Sequence, residues 1–175
     1  MYRFTRCGEL CLGLFTSAGP DSADQEAATA STARPTESSA PQRKAILLAH
    51  AVVTKSRNST IQDEDMALPP DWQGEPHSNP GLGHKEDGRT LCLHSLAVLP
   101  KYQGRGLGTI LMNASIERFG HSGIADRIAL ITHDELVSFY KRFGFQDKGK
   151  SDARFGGGGW NDMVGVCAID HSSHD

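Results

Sequence analysis

Residues 91–119 read LCLHSLAVLPKYQGRGLGTILMNASIERF, and this stretch decides how the rest of the chain is arranged. Leu91, Leu93, Leu96, Ala97, Val98 and Leu99 are too uniformly apolar for a strand with one wet face, so they predict a strand buried on both sides. Leu107, Ile110, Leu111, Ala114 and Phe119 fall on one stripe of a helix, with Asn113, Glu117 and Arg118 elsewhere. Between strand and helix stands Gln103-Gly104-Arg105-Gly106-Leu107-Gly108, with a glycine at every second position. Glycines there bare the backbone, and successive N–H groups at a positive helix N-terminus suit a phosphate. Arg105 adds a positive charge.

The P-loop pattern is absent because no lysine follows Gly108, and the Rossmann pattern fails at its third glycine. The run Gln-Gly-x-Gly-x-Gly after Leu-Ala-Val resembles the acetyl-CoA pyrophosphate loop of the GNAT N-acyltransferase superfamily, [QR]-x-x-G-x-[GA], with Gln103, Gly106 and Gly108 in its places.

Working outward, 175 residues with a net charge of −3 allow one domain with its own core and show no basic footprint for nucleic acid. No apolar run approaches the roughly 20 residues needed to cross a bilayer. Cys7, Cys11, Cys92 and Cys167 show no paired C-x-x-C spacing, so a reducing, cytoplasmic setting is the expectation. The apolar patch Leu10–Phe15 carries Glu9 beside it, and Glu9–Thr16 is read as a strand, with a short targeting segment as the alternative.

Residues 17–43, rich in Ser, Ala, Thr, Pro and Glu, predict a disordered insertion, and 56–90 a long loop inside a single domain spanning 1–175. Lys44–Lys55 returns to a strand pattern. After the organising helix come an apolar strand at Asp126–Thr132, a helix capped from Thr132 or Asp134, and a strand opened by Phe145–Lys148. A four-glycine hairpin turn at Gly156–Gly159 precedes a final strand. Leu136, Phe139, Tyr140 and Phe143 form that helix's stripe, and Gly144 sits where a C′ glycine belongs. The expected fold is α/β (α+β), a mixed sheet flanked by helices.

The resemblance narrows over Ala129–Phe145, ALITHDELVSFYKRFGF, taken together with Leu93-His94-Ser95-Leu96-Ala97-Val98. These are most similar to the arylalkylamine (serotonin-type) N-acetyltransferases and their fungal polyamine-acetylating relatives. The resemblance implies an acyltransferase moving an acetyl group from acetyl-CoA, without a metal, onto a small-molecule amine. It places acyl-CoA contacts on Leu96, Ala97, Val98, Gln103, Gly104, Arg105, Gly106, Leu107 and Gly108. It also assigns the general acid to Tyr140 and a proton-relaying histidine to His94. The family's other histidine falls on Cys92, which is either packing or, in principle, an acyl carrier. GNAT domains begin with a strand and two helices, and this unit is expected to be missing, since about eight residues precede the first strand.

The residue types agree with the chemistry. An amine of pKa near 10 is mostly ammonium at neutral pH, and freeing its lone pair costs about 4 kcal/mol. An imidazole reached through water suits that task, and a neutral phenol can protonate a departing thiolate. Leu96 and Ile131 are expected to line the acceptor site, and Asp63, Glu64 and Asp65 either attract a polyamine or form a solvated face. His77 and His84 are read as loop surface, and His171 and His174 as tail residues outside any metal site. A non-catalytic CoA-binding module and an interaction protein that merely keeps the fold are the rival classes.

Overall fold

The apolar strand patterns assemble into one six-stranded sheet in a computed structural model that describes residues 2–18, 44–70, 72–73 and 81–167. Strands β1 (Leu12–Ala18), β2 (Lys44–Ser56) and β3 (Thr90–Val98) pair antiparallel in that order. Strand β4 (Arg127–Thr132) joins β3 in parallel, and the hairpin of β5 (Gln146–Lys150) and β6 (Asn161–Val166) closes the sheet in the order β1-β2-β3-β4-β6-β5. Helix α3 (Leu107–Gly120) connects β3 to β4, and α4 (Asp134–Lys141) connects β4 to β5. Two short helices, α1 (Tyr2–Arg6) and α2 (Asp63–Met66), flank the chain's first half.

Leu91, Cys92 and Leu93 are buried, as a central strand demands, and the two faces of the sheet build separate cores. One face sets Ala49, Ala51, Val53, Leu91, Leu93 and Leu130 against Leu111, Met112 and Phe119 of α3. The other gathers Ile61, Met66, Cys92 and Ala129. Each fully buried large side chain contributes about 1.5–3 kcal/mol of hydrophobic stabilisation. The α3 stripe differs from expectation: Ile110 is 53% exposed, whereas Met112 and Ser115 are buried beside Leu111 and Phe119. Packing rotates the helix about one residue from its apolar average, and the Ser115 hydroxyl is satisfied by donating to the Leu111 carbonyl at 2.8 Å.

Other boundaries shift as well. The first strand is Leu12–Ala18 rather than Glu9–Thr16, because Gly8–Leu10 tightens into a 3₁₀ turn after α1. Helix α4 takes neither proposed cap: Thr132 ends β4, and His133 is the N-cap residue without a side-chain cap bond. Gly144 does adopt φ +83°, the left-handed backbone expected there. The stretch 56–90 carries α2, whose Asp65 accepts the Gln62 N–H at 2.9 Å. Most of the predicted insertion 17–43 lies outside the described residues, as do His77, His171 and His174.

Candidate active site

Parallel pairing between β3 and β4 lasts only from Thr90–Arg127 to Cys92–Ala129. Beyond it β3 keeps β2 as its partner and β4 keeps β6, so the sheet opens into a gap between two neighbouring strands. A bulge sits at the point of divergence: Val53 pairs with Leu93 and Val52 with Ser95, leaving His94 as the extra residue. A bulge bends and twists its strand, which is the local cause of the parting. The β3 edge facing the gap presents backbone N–H and C=O groups that no strand takes up.

A cavity of about 380 Å³ lies against this gap, lined by Leu96 and Val98 of β3, by Tyr102–Gly104 and Gly106–Thr109 but not Arg105, and by Leu136, Phe139 and Tyr140 of α4. Gly104 and Gly106 hold φ +74° and +78°, conformations that L side chains rarely adopt, and Gly106 is the left-handed N-cap of α3. A Cβ on either would meet nothing within 4 Å, so backbone conformation rather than crowding demands glycine there. Gly108 differs: a Cβ there would touch Phe139 and Val98, both at 3.9 Å, and would stand in the cavity. Gln103 anchors the loop by donating from Nε2 to the Val98 carbonyl at 3.1 Å. Arg105 lies over the Tyr102 ring at 5.3 Å, at the edge of the loop.

Tyr140 is 8% exposed, wedged edge-on against Phe139 and Phe145, and its hydroxyl has no hydrogen-bond partner among the described residues. Burial pushes its phenol pKa up, so the group keeps its proton at neutral pH.

The opposite face carries the histidine. His94 Nε2 lies 2.7 Å from the Thr54 hydroxyl, and Nδ1 is buried without a partner. Burial, reinforced by Arg3 and His84, pushes His94 down to about 3. His84 is not loop surface: its side chain is 4% exposed, its Nδ1 accepts the Lys55 N–H at 3.0 Å, and Glu86 stands 3.3 Å from Nε2. Burial lowers its pKa too, ahead of the raising effect of Glu86. Cys92 is fully buried with Ile61, Met66 and Ala129, and burial with Asp65 nearby drives its thiol pKa far up. A closed-off, protonated thiol cannot carry an acyl group, so packing is the role this geometry gives it.

The predicted residues therefore divide between two faces. Leu96, Val98, Gln103, Gly104, Gly106, Leu107, Gly108 and Tyr140 line the cavity. Ala97 pairs with His50 and is not among the lining residues. Ile131 packs with the Cys92 cluster on the far face. Of Asp63, Glu64 and Asp65, the first two are exposed and only Asp65 departs from a solvated acidic face. Asp65 is buried, and Asp63 accepts the N–H groups of Arg154 and Phe155, each at 2.8 Å, pinning the glycine-rich turn to α2. The lining residues that sequence reasoning missed are Tyr102, Thr109, Leu136 and Phe139. Leu136 and Phe139 share the Tyr140 stripe and carried a readable signal, whereas Thr54 and His84 belong to no motif.

The site is thus a splayed parallel strand pair, capped by a glycine turn at a helix N-terminus. The Acetyltransferase (GNAT) family model matches residues 64–145, just under half of the chain. Serotonin N-acetyltransferase of Mesocricetus auratus is 38% identical over 66 residues, covering 38% of this chain and 32% of that protein. An uncharacterized N-acetyltransferase of Methanocaldococcus jannaschii is 36% identical over 58 residues, 32% of this chain and 26% of that one. The chain thus matches under a third of the length of these curated relatives. Among solved structures, the NatC complex bound to Gag peptide and CoA superposes with a TM-score of 0.52 at 17% identity, over 93% of this chain and 74% of that one, a likeness of fold.

Proposed function

We propose that this chain is an acetyl-CoA-dependent N-acetyltransferase whose acceptor is the primary amine of an arylalkylamine or polyamine. The observation that carries the reading is the gap between β3 and β4, with the Gln103–Gly108 turn at its end and Tyr140 on its wall. Acetyl-CoA supplies the activated thioester. The chain's own part is to hold it: the left-handed turn at Gly104 and Gly106 and the α3 N-terminus take the pyrophosphate, and the bared β3 edge takes the extended arm. Tyr140 holds a proton at its hydroxyl beside the cavity, the one a leaving thiolate needs. With Cys92 closed off, the amine attacks directly.

Magnitudes limit what His94 does. Placing a full proton from an amine of pKa near 10 onto a group at about 3 costs on the order of 10 kcal/mol, about twice the cost for an ordinary imidazole. His94 therefore acts as a neutral hydrogen-bonding group linked to Thr54, and the amine's proton ends in solvent. The same number motivates a second reading, a CoA-binding module without turnover, because no ordinary base stands in its place.

Isothermal titration with acetyl-CoA, followed by thiol release with tryptamine and spermidine, tests the proposal. Binding with thiol release supports the enzyme, binding alone supports the second reading, and no binding refutes both.

A further inference from the structure

The sheet face that carries His94 also holds a carboxylate with one buried, unpartnered oxygen, Oδ1 of Asp162. Ile131 of β4 pairs with Asp162 of β6, and Ala129 pairs with Val164 two residues along, so all four side chains share one face. Ala129 also pairs with Cys92, which fixes this as the face of Cys92 and His94, opposite the cavity. Counting forward from Cys92–Ala129, with one residue absorbed by the bulge at His94, brings Leu96 about level with Thr132. Asp162, at the height of Ile131, is then about one residue's rise from Leu96 along the strands, with β4 between it and the gap.

Asp162 Oδ1 is buried and accepts no hydrogen bond, and no Lys, Arg or His pairs with this carboxylate among the described residues. The neighbouring Lys150 Nζ is turned to Asp134 at 2.7 Å. Burial raises the Asp162 carboxyl pKa, the Ser151 hydroxyl opposes the rise, and Asp152 adds to it. An orphaned carboxylate oxygen costs free energy that a cationic donor from outside the chain would return.

We propose that Asp162 recognises the acceptor's ammonium group on the far side of the gap and so selects cationic amines over neutral nucleophiles. The inference rests on the functional reading above and adds the residue that sets the acceptor's charge class. Asp162 positions the incoming amine, which surrenders a proton to solvent before it attacks.

The test compares the intact chain with its Asp162→Asn variant, an isosteric change that removes the charge. Tryptamine and its neutral analogue tryptophol are titrated into the CoA-loaded proteins, and acetyl-CoA affinity of each reports an intact fold. The expected result is tryptamine binding weakened about ten- to hundredfold in the variant, tryptophol binding and acetyl-CoA affinity unchanged. Where turnover is measured, the amine KM rises by the same factor. Equal tryptamine binding by the two proteins overturns the inference and leaves the functional reading standing. Failure of the unmodified chain to bind acetyl-CoA overturns that reading, and the inference with it.

Discussion

The Thr54 hydroxyl and His94 Nε2 lie 2.7 Å apart across the β2–β3 pair, while His94 Nδ1 faces a buried space with no partner. This arrangement holds His94 as a neutral imidazole with its pKa near 3. In the unfolded chain it titrates near 6.5. A group whose pKa is depressed on folding contributes its full stability above the unfolded value and loses it as pH falls toward the folded one. Thermal stability should therefore decline below pH 6.5, by up to about 1.4 kcal/mol per pH unit from His94 alone. His84, also lowered, acts in the same direction. Melting curves from pH 7.5 to 4.5 check this, and His94→Asn should flatten the slope.

Tyr140→Phe keeps the ring that packs on Phe139 and Phe145 and removes a hydroxyl with no hydrogen-bond partner among the described residues. The variant should fold as stably as the parent and bind acetyl-CoA with unchanged affinity. Its turnover should fall about 10²- to 10⁴-fold, the usual contribution of a positioned acid. A kcat within threefold of the parent would remove Tyr140 from the chemistry.

Two glycines of the same loop should respond in opposite ways. Gly106→Val forces a β-branched residue to φ +78° and should cost a few kcal/mol in stability as well as ligand affinity. Gly108→Ala places its methyl at ordinary contact distance from Phe139 and Val98 inside the first turn of α3. It should raise the melting temperature, since alanine exceeds glycine by up to about 1 kcal/mol in a helix. The same methyl stands in the cavity, so acetyl-CoA affinity should drop. Calorimetry and thermal melts on both variants separate strain from occlusion.

Cys92 should resist thiol reagents in the folded protein and react only on unfolding, because it is fully buried and its thiol stays protonated. Cys92→Ala should retain acetyl transfer. A trapped acyl group on Cys92, seen by mass spectrometry of a quenched reaction, would contradict direct attack.

Much of the fold was legible because its signals are local. The run from Leu91 to Phe119 announced a buried strand, a glycine turn and a helix, and backbone conformation alone accounts for Gly104 and Gly106. The helix stripe was legible only approximately. Ile110 looked as apolar as Met112, and the choice between them was made by the sheet against which α3 docks. Caps behaved similarly: Thr132 has the spacing of a capping residue, yet its backbone is committed to pairing with Asn161 in the ladder.

The sequence by itself determined the strand-turn-helix unit, the cavity-lining turn and the aromatic stripe that carries Tyr140, because each depends on neighbours within a few positions. Tertiary structure decided the rest. The parting of β3 from β4, the pairing of His94 with Thr54 forty residues away, the burial of His84 and Asp65, and the lone oxygen of Asp162 arise from contacts between distant segments. Those contacts set the dielectric and the hydrogen bonds around each group. A histidine that spacing alone presents as an ordinary base is thereby held neutral with a pKa of about 3.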